Sequence, residues 1–439
     1  MDISIANKMN MKIKTSRFWD ALYVICLAII AFTGLKSPVI NTIFVFLFMY
    51  LLLSGNQTNI IFLYAILRSF FGYSNIQLTL LGGIVLANST WCNIVVLLIT
   101  AKFLLFYGKT QISNKKIPFY ILLVYCAFIS CITATTLVGI GLLCSMFVVS
   151  KILSLLKQGN EEKLNRYIGF VLLCVIAEII YGVLYNAVSD GYAWRALQFS
   201  GVRDPNNMAL SCNYVFALLA IANNRIKNRK ILIIVKIFLA VVVVSTLSFS
   251  GICTMIAIFS TSALVGEKKS STKKVLLGLF ICSMLVIAMH NYETLIYSLQ
   301  NSEVSTLRGL GERLSIMLDK YESGDYDAVT SGRTGLWVEW INHIRNGAFT
   351  ERLFGSTHWF DKITEAVGRT AHNAYIDILV KYGILGMILF AINVIKSFIC
   401  RINSRQYTSL FMSVIMLVNM FARSMSLESV FIYGFLLVI

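Results

Sequence analysis

Charge is what this chain has least of. Of its 439 residues only 13% are Asp, Glu, Lys or Arg, while 57% are apolar. Soluble domains carry about a quarter charged residues, so the composition excludes that class and points to an integral membrane protein. Acid is the scarcer sign: 21 acidic residues stand against 38 basic ones, a net charge of +17. In a soluble chain that excess would suggest nucleic acid. Here the basic residues fall in short stretches between apolar runs, as the cytoplasmic loops of membrane proteins do. No basic stripe with interleaved aromatics lies outside those runs, which excludes a nucleic-acid partner. There are four histidines, none at ligand spacing from another His, Cys or carboxylate, so no metal and no other cofactor is expected. The three prolines, Pro38, Pro118 and Pro205, sit at span boundaries, where a missing N–H is tolerated. The ten cysteines lie in or beside apolar runs and none falls between Asn291 and Ala371, so disulfides are not expected.

What the chain does have is a succession of apolar runs punctuated by basic clusters. Spans begin near Phe18, Val39, Trp91, Ile117, Leu137, Tyr167, Asn206, Ile231, Ile252, Val275, Asn373, Tyr407 and Leu427. The stretch Asn59–Asn88, interrupted by Arg68, Gly72 and Asn75, reads as one further crossing with a kinked or re-entrant approach. Ala21–Leu35 has no small-x-small cleavage pattern and reads as a retained first span. The expected fold is an all-α polytopic membrane protein of about 12 to 14 transmembrane helices with both ends cytoplasmic. Residues 1–290 form a helix bundle with a short external loop at 189–205, residues 291–371 a large, partly helical external loop, and residues 372–439 the last spans. The large loop holds eight basic and eleven acidic residues, a net of −3 against the basic remainder, which suits the far side of the membrane.

The chemistry concentrates between Ser331 and Gly386. Leu336, Trp337, Trp340, Ile341 and Ile344 recur at helical spacing and put one apolar stripe on a helix, with Glu339 and Arg345 on its other face. His372 and Asn373 stand where the apolar run Ala374–Val394 begins, at the lip of a spanning helix. Asn373 suits the N-cap of that helix, and Tyr375 suits an interfacial belt or a groove lining. Asp325 and Asp327 lie in a Gly- and acid-rich turn and read as a solvated loop. Arg423 and Glu428 read as a local pair flanking the last external turn.

The order S-G-R from Ser331, a Trp-bearing amphipathic helix, the Leu353-Phe354-Gly355 turn, then A-H-N-x-Y-x-x-x-L-x-x-x-G-I-x-G from Ala371 to Gly386 resembles the signature of the O-antigen polymerase and O-antigen ligase superfamily. GVRDPNNMAL at Gly201–Leu210 and STLSFSG at Ser245–Gly251 are similar to two further family stretches. The second departs from the pattern: Ser250-Gly251 stands where the family often has Ser-Arg-Gly. The resemblance covers roughly the second half of the chain. It implies a GT-C-like glycosyltransferase of the bacterial inner membrane, working on the periplasmic face without a metal. Donor and acceptor would be polyprenyl-diphosphate-linked oligosaccharide repeat units within the lipid bilayer, and a chain-length regulator and flippase of the same pathway would be further partners.

Such a reaction needs cations for the leaving diphosphate and a base for the attacking hydroxyl. Arginine pairs bidentately with phosphate oxygens and keeps its charge. The resemblance points to Arg333 as a catalytic cation and to Arg203 as a diphosphate ligand, and placement in the external loops adds Arg195 and Arg369 as further diphosphate ligands. An imidazole is poised near working pH, which makes His372 the expected base, with Glu339 and Asp204 as secondary candidates beside Asn373 and Tyr375. The leading expectation is a polymerase that transfers a growing glycan to the sugar hydroxyl of a new repeat unit. A ligase acting on lipid A core and a flippase for lipid-linked oligosaccharide are the alternatives; the flippase would distribute polar residues through its spans, whereas here they gather in loops. The topology is open to a direct check. A cysteine in place of Ser323 should react with a membrane-impermeant maleimide added to intact spheroplasts, and labelling confined to lysed cells would overturn the external placement.

Overall fold

The computed structural model describes most of residues 77–102, 117–147, 205–265 and 291–423, with isolated positions elsewhere. The chain divides into two compact units, one of Met1–Thr110 with Phe147–Ser211 and one of Gln111–Met146 with Cys212–Ile439.

In the first unit, β1 (Gln77–Thr79) pairs antiparallel with β2 (Val85–Ala87), with Leu78 opposite Leu86. The connecting turn carries Gly82 and Gly83, both at positive φ, a conformation that glycine adopts without penalty. Thr42 ties the turn down, its Oγ1 accepting from the Leu81 N–H at 2.9 Å. Within the stretch Asn59–Asn88, whose residues 59–76 lie outside the described residues, the two strands pair as a hairpin, because a Gly-Gly turn between two short apolar, partly β-branched runs reverses the chain. With this exception the described regular elements are helical.

The second unit is built on helices whose bounds follow the apolar runs. They are α1 (Ile117–Thr133), α2 (Pro205–Ile221, which enters from the first unit), α3 (Arg229–Ser245) and α4 (Phe249–Val265). After these come α5 (Tyr292–Gln300), α6 (Ser305–Glu322), α7 (Arg333–Asn346), α8 (Phe349–Phe354) and α9 (Thr357–Val367). The C-terminal pair is α10 (Ala374–Asn403) and α11 (Tyr407–Asn419), closed by a 3₁₀ turn at Met420–Ala422. The loop expected at 291–371 is therefore predominantly helical where it is described. Its helices α7 and α9 close over an apolar core of Leu336, Trp340, Trp359, Phe360, Ile363 and Ala371, completed by Val380 of α10. Each large side chain so buried contributes about 1.5–3 kcal/mol of transfer free energy. Lys381 Nζ lies 3.9 Å from the centroid of the Phe360 ring, adding a cation–π contact between α9 and α10.

Among the described residues α10 is the one helix long and apolar enough to cross a membrane. It carries a row of outward-facing isoleucines, Ile384, Ile388, Ile392, Ile395, Ile399 and Ile402, each 44–56% exposed. α1 shows the same pattern at Ile117, Ile121, Val124, Phe128 and Ile132, while its Phe119, Leu122 and Cys126 are buried. Both helices are thus apolar on the inner and the outer face. At its far end α10 turns tightly into α11 through Arg405, which has φ 54. Arg401, in the last turn of α10, is fully buried. Its Nε donates to Ser409 Oγ at 3.1 Å and its guanidinium also donates to Ser397 Oγ, so serines one turn away and across the hairpin compensate its burial.

α10 is not continuous. At Gly383 the backbone leaves the helix, with φ 65 and ψ −174, a region open essentially to glycine alone. The turn after α8 meets it there, with Gly355 at φ 76 and ψ 173. A Cβ on Gly355 would come 2.3 Å from Gly383 N, and one on Gly383 would come 2.4 Å from Leu353 O. Carbonyls at the break take partners from outside the helix. Ser356 N–H donates to Val380 O at 3.0 Å, and the Tyr125 hydroxyl of α1 lies 2.9 Å from both Tyr382 O and Phe354 O, sharing its proton between them. Thr357 N–H donates to Thr133 Oγ1 at 3.0 Å, fastening the same turn to α1. Gly368 is the natural comparison, since it has φ 78 but no atom within 4 Å of a built Cβ. Replacing Gly355 or Gly383 by Ala should cost roughly 1–3 kcal/mol from the backbone alone, plus the overlap. In thermal unfolding of purified protein Gly368→Ala should fall well short of both, and equal losses at all three positions would contradict the interlock.

Candidate functional site

The ends of three elements converge where α7 begins. Gly332, at φ 74, turns the chain into α7, and Arg333 is its first residue. Apolar Leu336 and Trp340 point into the core, 2% and 0% exposed, and Ile344 packs beside them, whereas Ile341 of the expected stripe is exposed. Trp337 leaves the core on one side: its Nε1–H donates to the carbonyl of Ala371 at 2.9 Å. In the opposite direction, Arg369 donates from a terminal nitrogen to the Gly332 carbonyl at 3.4 Å. Helix start and loop thus clasp each other through two bonds. The residues next to those carbonyls are Arg333 and His372, so the clasp gathers Arg333, Arg369 and His372 at one end of the unit.

His372 is held in an unusual way. Ala371 before it is fully buried and Asn373 after it is 4% exposed. Asn373 caps α10 as expected, its Oδ1 accepting from Tyr375 N at 3.0 Å and Ile376 N at 3.3 Å. With both neighbours fixed inward, His372 takes φ 50 and its side chain is exposed. A residue other than glycine at positive φ is uncommon. Arg333 is half-buried and Arg369 exposed; together with the positive end of the α7 dipole they make a cationic surface suited to an anion.

Other expected residues lie elsewhere. Glu339 is exposed, six residues and roughly 9 Å of helical rise from Arg333, and nothing ties it to His372. Tyr375 is not an exposed belt residue. Its hydroxyl donates to Leu417 O at 2.6 Å and its ring stands 4.4 Å from that of Phe421, packing α10 on the end of α11. Arg423 is buried and its Nε donates to Asn419 Oδ1 at 3.3 Å; Glu428, its expected partner, lies outside the described residues. Arg195, Arg203, Asp204 and Asp327 lie outside them too. Asp325 stands 3.7 Å from Lys320 Nζ in a half-exposed ion pair, which fits a solvated turn, and no cluster of possible metal ligands occurs among the described residues.

Two residues that shape this region had no role in the sequence reading. Tyr125 sits inside an apolar run whose residue types say nothing of the two carbonyls it reaches. Asp377 did carry a signal: an ionisable residue in an apolar run demands a reason, and it proves 2% exposed, in the first turn of α10, where a carboxylate favours the dipole. Compared with known proteins, the chain matches no family model, no curated protein and no solved structure.

The backbone at His372 offers a clean separation of function from stability. His372→Gly removes the imidazole but keeps a residue content at positive φ, so thermal stability should hold or rise, by up to about 1 kcal/mol. Asn373→Ala strands two part-buried N–H groups and should cost about 1–2 kcal/mol. A His372→Gly protein less stable than Asn373→Ala would show that the imidazole, and not the backbone turn, holds the loop.

Proposed function

We propose that this chain is a polytopic glycosyltransferase of the bacterial inner membrane, an O-antigen polymerase that elongates a surface polysaccharide on the periplasmic face. The observation that carries this reading is the gathering of Arg333, Arg369 and His372 by one clasp at the end of a helix apolar enough to span a bilayer. The isoleucine row of α10 and the matching row of α1 support a lipid environment, because an apolar face of that length is a liability in water and ordinary against acyl chains. From Ile384 to Asn403 α10 rises about 30 Å, the thickness of the hydrocarbon core. On this reading the membrane begins at the Gly383 break. Ala374–Tyr382, with Asp377 and Lys381, then stands on the periplasmic side, and His372 sits beyond the lip instead of on it.

In the proposed reaction the hydroxyl oxygen of the acceptor sugar attacks the anomeric carbon of the donor glycan. The carbon–oxygen bond to the polyprenyl diphosphate breaks and its electron pair leaves with the diphosphate. His372 takes the hydroxyl proton, general-base help worth roughly 100- to 10000-fold. Arg333 and Arg369, with the α7 N-terminus, meet the charge that grows on the leaving oxygen. Such donors act most strongly where charge develops in the transition state.

Purified protein given lipid-linked repeat units should build polymer in excess chelator. Arg333→Lys should lose about 100- to 1000-fold in rate, because a point charge cannot reproduce the bidentate fork. Near-normal polymer from the lysine variant would remove Arg333 from the site. Dependence on magnesium or manganese would overturn the metal-free reading, and transfer only onto lipid A core would make the protein a ligase.

A further inference from the structure

We infer that Trp337 is a positioning residue whose indole N–H sets the direction of the His372 side chain. The φ and ψ angles of His372 together set the rotation between the two peptide planes that flank it. The plane before it contains the Ala371 carbonyl, held by the Trp337 N–H at 2.9 Å. The residue that closes the plane after it, Asn373, is buried and fixed by its own bonds to Tyr375 N and Ile376 N. With both planes fixed, the left-handed φ of 50 at His372 follows, although a residue in a sparsely populated region costs on the order of 1–3 kcal/mol and persists only when its surroundings over-determine it. Releasing the first plane lets the Ala371–His372 peptide turn and His372 relax to negative φ, which redirects the imidazole.

The same helix supplies the control. Trp340, three residues on, is fully buried against Phe360, and its Nε1–H has no hydrogen-bond partner among the described residues. Trp340 is an apolar core residue that happens to carry an N–H, while half-buried Trp337 spends its N–H on the peptide before His372. Hydropathy and periodicity treat the two tryptophans alike; only the acceptor distinguishes them.

The test reads His372 itself and so does not need the reaction, although the role as a positioning residue rests on the proposed function. In full-length protein in which His290, His343 and His358 are replaced by Gln, the rate of carbethoxylation of His372 by diethyl pyrocarbonate is measured. Trp337→Phe, which keeps an aromatic body and loses the N–H, should change that rate several-fold, and Trp340→Phe should leave it unaltered. Benzothienylalanine at position 337, nearly isosteric with tryptophan but without the N–H, should reproduce the change and covers the case in which the phenylalanine variant folds poorly. In the otherwise native protein, Trp337→Phe should lower kcat by about 100-fold, as small misplacements of catalytic groups do, with KM for the lipid-linked donor unchanged. An unaltered carbethoxylation rate with benzothienylalanine, or equal changes at positions 337 and 340, would overturn the inference. A changed rate in a protein whose native form makes no polymer would sink the proposed reaction and leave the role of Trp337 in orienting His372 intact.

Discussion

Two glycines that touch through bare backbone hold this unit in its arrangement. Gly355 and Gly383 both occupy a conformation closed to other residues, and a side-chain carbon on either would overlap the other strand of chain. Their contact does two things at once. It breaks the long apolar helix, and it supplies the broken turn with a neighbour that can satisfy it, through the Ser356 N–H and the Tyr125 hydroxyl. Carbonyls released at a break in a helix need partners from outside it. From that fixed point α9 is laid along α10, α7 closes over α9 through Trp340 and Phe360, and the shared core ends at Ala371. His372 is the first residue that the core releases.

The cationic end of the unit follows from the same order. Arg369 and Arg333 are brought near one another by a bond to a carbonyl, not by an acid, so the clasp gathers like charges. With the positive pole of α7 they present cationic groups and helix N–H donors on one surface, an arrangement that favours an anion. The cost of the strained backbone at His372 is borne by the apolar core and the Asn373 cap on either side.

Much of this was legible in the sequence, and the rest was hidden for identifiable reasons. Apolar runs located α1, α2, α3, α10 and α11 to within a few residues, because a helix of such composition has few other ways to satisfy its backbone. Asn373 declared itself as a cap by its place before an apolar run. The Leu-Phe-Gly turn and the Gly-Ile-x-Gly segment were visible as motifs, but their meeting was not, since nothing in a linear pattern says that Gly355 and Gly383, 28 positions apart, share one contact. Hydropathy could not separate Trp337 from Trp340, nor foresee that Arg401 would turn inward onto serines. The pairing of 77–79 with 85–87 was not legible, because apolar β-strands and helical segments look alike over so few residues.

The docking of the 353–357 turn on α1 and the broken α10 is the feature from which the rest derives, and cysteine cross-linking in native membranes tests it most directly. In a background without native cysteines, Thr133→Cys paired with Thr357→Cys should form a disulfide rapidly under mild oxidation, because the Thr357 N–H lies 3.0 Å from Thr133 Oγ1. Thr133→Cys paired with Ser323→Cys, at the end of α6, should not. Equal cross-linking of the two pairs, or none at 133 and 357 in folded protein, would contradict the docked turn and with it the site built upon it.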